Sequence, residues 1–298
     1  MRRAAILLLA VLLVPQAAPA QELGGTLMKV RTGGRIVLGY RENAFPFAFA
    51  DARGQPSGYS LDLCRAVVDE VAATLGREVR VEHRPVTAEN RIPALLDGSI
   101  DLECGVTSNS HTRQRQVAFS PMIFVSGTRL LVPQDSRVAG HHDLRGRRVV
   151  ATAGTTNEAA VRRLIERQGL EATLLVAPDH DRSFAMLADG SADAFAADEV
   201  LLSGLLARSG LLARSGVRGA YRIVGEYLSY DPYGLMYRKD DPAFAEVVDR
   251  TFARLARNRD LVEIYTRWFL RRLPGGERLA LPMSPQLEES FHLLGMPE

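Results

Sequence analysis

Apolar and polar positions in the first half of the chain alternate between the period of a strand and that of a helix. The helical spacing of apolar residues from Leu61 onward predicts a long helix, which ends at Gly76. The predicted elements are a strand over 35–40, a helix over 61–75, a strand over 78–83, a helix capped by Asn90 and a strand over 100–104. This alternation predicts parallel strands joined by helical crossovers.

The second half of the chain repeats this order. Its predicted elements are a strand over 147–151, a helix over 156–168, a strand over 172–176, a helix over 183–188 and a strand over 193–197. The segments 97–101 (DGSID) and 189–193 (DGSAD) share four of five residues, and each leaves a predicted helix through a turn and enters a predicted strand. We therefore predict an α/β fold with two similar lobes.

The chain is predicted to cross between the lobes twice, near 128–133 and near 233–237, and two crossings make a hinge. Helices around 244–255 and 261–269 would complete the first lobe. The predicted division is a signal peptide over 1–20, lobe 1 over 21–129 plus 234–273, lobe 2 over 130–233 and a C-terminal tail over 274–298. The repeated LLARSG at 205–210 and 211–216 is interpreted as a tandem insertion that lengthens a surface helix or loop.

The first twenty residues are typical of a secretory signal peptide. Arg2 and Arg3 precede eleven apolar residues at 4–14, and an A-x-A cleavage signal ends at Ala20. Eleven residues rise about 16 Å as a helix, too little to cross a hydrocarbon core of ~30 Å. We expect cleavage after Ala20 and a periplasmic mature protein with no direct membrane insertion.

Composition and charge exclude several classes of protein. The chain has 298 residues, 46% hydrophobic and 24% charged, which is ordinary for a globular protein. Without Arg2 and Arg3 it holds 35 basic and 35 acidic residues and no basic run, so no nucleic-acid partner is expected. Its two cysteines cannot form a zinc cluster. Cys64 and Cys104 are either a disulfide, which an oxidising compartment allows, or two small buried residues.

The polar and charged residues that could bind a ligand are concentrated where predicted strands end. No phosphate-binding loop, dinucleotide fingerprint, nucleophile elbow or zinc motif is present, so no cofactor, metal or catalytic residue is expected. Ligands of open α/β sheets bind beyond the carboxyl ends of strands. The polar residues that converge there favour a carboxylate, through Arg forks and helix N-termini, and an ammonium, through Asp198. Taken singly, each residue is better explained as a helix cap or a solvated surface charge, and only their convergence at the mouth between the two lobes favours a ligand site.

Seven short motifs in the same order and spacing carry a family resemblance from about residue 22 to 273. They are 39–42 (GYRE), 58–62 (GYSLD), 90–93 (NRIP), 101–105 (DLECG), 118–120 (AFS), 127–131 (GTRLL) and 154–156 (GTT). With these motifs the sequence resembles the periplasmic solute-binding proteins, family 3, that serve ABC importers of polar amino acids. It is most similar to the glutamate/aspartate-binding branch.

The resemblance implies a type 2 periplasmic-binding fold that closes on one amino acid, L-glutamate or L-aspartate, and delivers it as a monomer to an inner-membrane ABC permease. It also implies roles for eight residues. Arg113 would bind the α-carboxylate with Ser108 and Thr156, Asp198 would bind the ammonium, and Arg41, Arg91 and His180 would bind the side-chain carboxylate, with Val106 contributing its backbone. The branch has Ser where Val106 stands and near Ala88.

A charge count agrees with an acidic ligand. Three Arg and one Asp give the predicted pocket a charge of +2, and a neutral ligand would leave Arg41 and Arg91 facing each other without an anion, at a cost of several kcal/mol. Three alternatives are open. They are an exported dehydratase-like enzyme of the same fold using Glu42 or His180 as acid or base, a receptor sensor domain, and a binder of a dipeptide or a dicarboxylate without an amine.

Overall fold

The computed structural model describes residues 24–212, 220–273 and 275–297, except for the side chains of 209–212. The predicted signal peptide lies outside the described residues, as does most of the second LLARSG copy. Within these ranges the α-helices are α1 (Gly25–Gly33), α2 (Tyr59–Leu75), α3 (Arg91–Leu96), α4 (His111–Gln114), α5 (Thr156–Gln168), α6 (His180–Ala188), α7 (Glu199–Leu212), α8 (Pro242–Arg257), α9 (Asp260–Tyr265) and α10 (Pro285–Leu293). A 3-10 turn spans His141–Leu144 and a π-helix spans Thr266–Leu270.

The strands of the described ranges are two to six residues long. They are β1 (Arg35–Tyr40), β2 (Asn43–Ala44), β3 (Ala48–Ala50), β4 (Pro56–Ser57), β5 (Arg80–Pro85), β6 (Leu102–Glu103), β7 (Val117–Phe119), β8 (Phe124–Ser126), β9 (Thr128–Pro133), β10 (Arg148–Thr152), β11 (Thr173–Ala177), β12 (Ala194–Asp198), β13 (Tyr221–Val224), β14 (Asp231–Tyr233) and β15 (Met236–Arg238).

Two five-stranded sheets form the centres of the two lobes. The first has the order β5-β1-β6-β15-β7 and the second the order β11-β10-β12-β9-β13. In each sheet the first three of these strands are parallel and the other two pair antiparallel. The fold is therefore α/β with two similarly built lobes.

The two copies of the internal repeat form the same hydrogen bonds in both lobes. Asp97 and Asp189 each accept a hydrogen bond from the backbone N–H two residues later, which closes the turn after a helix. Asp101 then accepts from the N–H of Val37 in β1, at 3.0 Å. Asp193 likewise accepts from the N–H of Arg148 in β10, at 2.8 Å. The last Asp of each copy thus ties its segment to the middle one of the three parallel strands of its sheet.

Two antiparallel strands connect the lobes. β8 pairs with β14, and the chain continues from β8 into β9 of the second sheet and from β14 back into β15 of the first. Ser108 forms an isolated bridge with Tyr233, so the cleft edge of lobe 1 is attached directly to this hinge. The residue-level lobe boundaries given above stay predictions.

Lobe 1 holds the largest core, and the C-terminal tail belongs to it. Leu287, Phe291 and Met296 of the tail are buried in the same apolar cluster as the aromatic residues of α2, β8 and α9. Cys64 in α2 and Cys104 after β6 form a disulfide, with Cα atoms 6.1 Å apart. No helix in the described ranges is both long and apolar enough to span a membrane.

Candidate ligand-binding site

A small polar cavity lies between the carboxyl ends of the two sheets. Its lining atoms border about 240 Å³ of space, which includes open solvent. Seven of the eight site residues predicted from sequence line it, and Arg113 does not. The lining is Arg41, Arg91, Val106, Ser108, Thr155, Thr156, Asn157, His180, Asp198 and Leu201. This is the position that the strand order of an open α/β sheet favours for a ligand.

Two buried guanidinium groups form the cationic end of the cavity. Arg41 follows β1 and Arg91 opens α3, and each is only 2% exposed. Within the described part of the chain, nothing accepts a hydrogen bond from the Arg41 guanidinium. The Arg91 Nη1 donates to the Val106 carbonyl at 3.5 Å, and its Nε has no partner there. Burial, followed by the charge of Arg91, lowers the pKa of Arg41 to about 10, so it stays cationic at neutral pH.

His180 adds a neutral polar group to this end. It begins α6 because Asp179 caps that helix by accepting from the Arg182 N–H at 2.7 Å. Its Nδ1 is 2.7 Å from the Thr152 hydroxyl, which fixes the ring. Burial first, and then the charges of Arg41 and Arg91, lower the pKa of His180 well below 6.5. A neutral imidazole offers one donor or one acceptor to a ligand.

Asp198 is the buried carboxylate of the cavity lining. It closes β12, is 3% exposed, and accepts a 2.8 Å hydrogen bond from the Asn157 Nδ2 and another from the Tyr233 hydroxyl. Burial, and then repulsion from Asp231, raise the pKa of Asp198 to about 7, against the opposing effect of its two hydrogen bonds. An ammonium group placed beside it would favour the ionised form.

Three residues bring the lobes together across the cleft. The Ser108 and Thr156 hydroxyls are 3.1 Å apart, and Arg113 donates to the Ser108 carbonyl at 2.9 Å and to the Gly154 carbonyl at 3.2 Å. Burial, and then Arg91, lower the pKa of Arg113 to about 9. Gly154 has φ +69°, and a Cβ there would lie 3.0 Å from the Glu89 side chain. The structure is a closed form.

Glu103 is the residue whose importance sequence reasoning missed. Its side chain is fully buried on β6, and its charge raises the pKa of Arg41, Arg91 and Arg113. The count of +2 from three Arg and one Asp omitted this fifth, buried charge, and the sum of the five charges is +1. The available signal was the carboxylate of Glu103 within the predicted strand over 100–104.

The arrangement is suited to holding a small charged molecule rather than to transforming it. It presents two buried cations, a carboxylate and hydroxyls from both lobes. Among the described residues, no group of three or more His, Cys, Asp or Glu side chains could hold a metal ion. The fold and the cleft define a two-lobed binding protein that closes around its ligand.

Comparison with known proteins agrees with this class. Residues 36–271 match the family model of bacterial extracellular solute-binding proteins, family 3. The chain belongs to this family of binding proteins, and its fold is the type 2 periplasmic-binding fold. It is an ABC-type amino acid solute-binding protein rather than an enzyme, so the dehydratase-like alternative is not favoured.

Two amino acid binding proteins are similar in sequence to this chain over most of its length. The glutamate/aspartate import solute-binding protein of Escherichia coli K12 is 38% identical over 259 residues, which is 87% of this chain and 83% of the relative. An L-glutamate/L-aspartate-binding protein of Pseudomonas aeruginosa is 38% identical over 273 residues, which is 91% and 88% of the two chains. The predicted resemblance to the glutamate/aspartate branch is confirmed.

Solved structures show the same fold with other ligands. An ancestral arginine-binding protein bound to arginine has a TM-score of 0.68 and 25% identity, over 79% of this chain and 98% of that one. A substrate-binding protein from Streptococcus pneumoniae with bound histidine has a TM-score of 0.70 and 22% identity, over 82% and 96%. The fold is thus compatible with different amino acids, and the side chains of the cleft must select among them.

Proposed function

We propose that this protein binds L-glutamate or L-aspartate in the periplasm and delivers it to the permease of an ABC importer. The observation that carries the proposal is the pair Arg41 and Arg91. Both are buried, both line the cavity, and no described carboxylate lies within ion-pair distance of either. Leaving two such charges without an anion is costly, and a ligand carboxylate between them removes that cost.

The remaining side chains fit the other groups of an amino acid. Arg113, Ser108 and Thr156 meet at the lobe boundary, where an α-carboxylate would accept hydrogen bonds from both lobes at once. Asp198 would pair with the α-ammonium, and its bonds from Asn157 and Tyr233 hold the carboxylate in place. A dicarboxylate without an amine would leave Asp198 without a cation.

Lobe closure is the proposed route from binding to delivery. Ligand groups held by Ser108 of lobe 1 and Thr156 of lobe 2 are reached together only when the lobes are closed, so the ligand favours the closed form. Strands β8 and β14 form the connection about which the lobes would open. The permease would then recognise the closed surface, on which both lobes lie in one arrangement.

Calorimetry with the mature protein tests the ligand class. We expect L-glutamate or L-aspartate to bind at least about tenfold more tightly than glutamine and asparagine, since the amides lack the charge that Arg41 and Arg91 face. Glutamine provides the matched control because it has the shape of glutamate. Equal dissociation constants for glutamine and glutamate would refute the proposal.

We also propose that the mature protein begins at Gln21 and acts as a monomer. Mass spectrometry of the exported protein should give the mass of residues 21–298. Light scattering should give the mass of one such chain, with and without ligand. A retained N-terminus or a dimer mass would contradict these two statements, and neither outcome would alter the ligand assignment.

A further inference from the structure

We propose that Glu103 sets the charge that a ligand side chain must carry, so that the cationic end of the cavity accepts one negative charge and not two. The inference deepens the proposed function and rests on it. Glu103 does not line the cavity. It would act through Arg41 and Arg91, and it is thus a positioning residue for ligand charge rather than a ligand contact.

The Glu103 carboxylate is buried without a full set of hydrogen bonds. Glu103 lies in β6 at the centre of the first sheet and is fully buried, yet only one of its two oxygens has a hydrogen bond. Its Oε2 accepts from the Thr107 hydroxyl at 2.7 Å, while Oε1 has no partner within the described residues. A buried carboxylate with a free oxygen is stable only if nearby positive charge compensates it.

The Glu103 carboxylate lies close to the arginines without forming an ion pair with them. A Cβ on Gly105 would lie 2.2 Å from the Glu103 Oε1 and 3.1 Å from the Cγ of Arg41, so carboxylate and arginine stem pack on the same side of that glycine. Arg91 also carries a buried donor without a partner, its Nε. None of the described ion pairs, which extend to 4.0 Å, joins Glu103 to Arg41, Arg91 or Arg113. Their guanidinium groups therefore stay available to a ligand while their charge is partly offset.

Local charge counting gives the consequence. Arg41 and Arg91 contribute +2 at this end, His180 is neutral, and Glu103 reduces the sum to +1. One ligand carboxylate then makes the end neutral, whereas a dianionic side chain leaves an excess negative charge. Asp198, whose charge also acts on Arg91, and Asp231 are near Arg113, and the ligand ammonium together with Arg113 would offset these two carboxylates.

The test compares Glu103→Gln with Thr107→Val in titrations against L-glutamate and L-glutamine. Gln keeps the size of the side chain and an acceptor for Thr107 but removes the charge, whereas Thr107→Val removes that hydrogen bond and keeps the charge. We expect Glu103→Gln to raise the ratio of the glutamine to the glutamate dissociation constant at least about tenfold, because a neighbouring anion no longer weakens the attraction for the ligand carboxylate. Thr107→Val should leave the ratio within about twofold.

A ratio that is unchanged in Glu103→Gln, with both ligands weakened equally, would overturn the inference in favour of a merely structural role. If the wild-type protein itself does not distinguish glutamate from glutamine, the proposed function fails instead, so the two failures are distinguishable. Should Glu103→Gln not fold, the wild-type protein provides the second measurement. O-phosphoserine, whose side chain carries about −1.5 to −2, should bind more weakly than glutamate, and tighter binding would overturn the inference.

Discussion

Ligand affinity should depend on pH through Asp198. In the structure this carboxyl has a pKa of about 7, raised mainly by burial and then by Asp231. If the ligand ammonium binds only the ionised form, binding lowers the pKa and releases the proton. Affinity should therefore rise with pH through the range around 7 and become constant above about pH 8.

The magnitude follows from the ionised fraction. A group with a pKa of about 7 is about 90% ionised at pH 8 and about 1% ionised at pH 5, which gives an affinity about 90-fold lower at pH 5. Other groups of the cavity change little over this range. His180 is already neutral because burial and two arginines lower its pKa, and Arg41 with a pKa of about 10 stays cationic. The carboxylates of free glutamate are largely ionised above pH 5.

Calorimetry at half-unit steps from pH 5 to pH 8 provides the assay, repeated in buffers of different ionisation enthalpy so that the released proton is counted. We expect about half a proton released at pH 7. Asp198→Asn is the matched control, since it keeps an acceptor for Tyr233 and loses the charge. It should bind at least about 30-fold more weakly at pH 8 and show a flat profile. A flat wild-type profile, or the same slope in Asp198→Asn, would refute the reasoning.

Three further predictions concern the arginines, the disulfide and the tail. Arg113→Ala should abolish detectable binding of every amino acid, whereas Arg41→Ala should weaken glutamate far more than glutamine in calorimetry; equal weakening would remove the proposed role of Arg41. Replacing Cys64 and Cys104 by Ser should lower the free energy of unfolding by about 4 kcal/mol, measured with denaturant, because the crosslink closes a loop of sequence separation 40. Phe291→Ala in α10 should cost about 3–5 kcal/mol since that side chain is fully buried, while Leu293→Ala, 81% exposed, should change stability by less than about 0.5 kcal/mol; similar values would show that the tail is not part of the core.

The elements that the sequence predicts well are those whose signal is local. Strand β1 lies over the predicted 35–40 and helix α5 over the predicted 156–168, because an apolar run and a capped amphipathic stretch each determine their own structure. Helix α6 begins three residues before the predicted 183, since Asp179 and not a later residue caps it. Helix α1 was not predicted: its N-cap Gly24 provides no side-chain hydrogen bond and its apolar residues are sparse.

The candidate site shows a similar division between what a sequence contains and what only the fold brings together. Arg41 and Asp198 lie at the cleft because each stands at the end of a strand. The order of strands and helices along the chain predicts these positions, because parallel strands have their carboxyl ends at one edge of the sheet. The hydrogen bond from Tyr233 to Asp198 cannot be read in this way, since it depends on how the second crossing returns beside β12.

Glu103 shows why the charge of a binding site is difficult to count from sequence. The cavity arginines stand in recognisable motifs, Arg41 after β1 and Arg91 at the start of α3, whereas the Glu103 carboxylate belongs to β6, where a sequence predicts only burial. Charge acts over distances that reach this second layer, because a buried anion is weakly screened. If the proposal for Glu103 holds, the preference for a monoanionic side chain depends on a residue that does not line the cavity, and a charge count of the ligand-contact residues alone omits it.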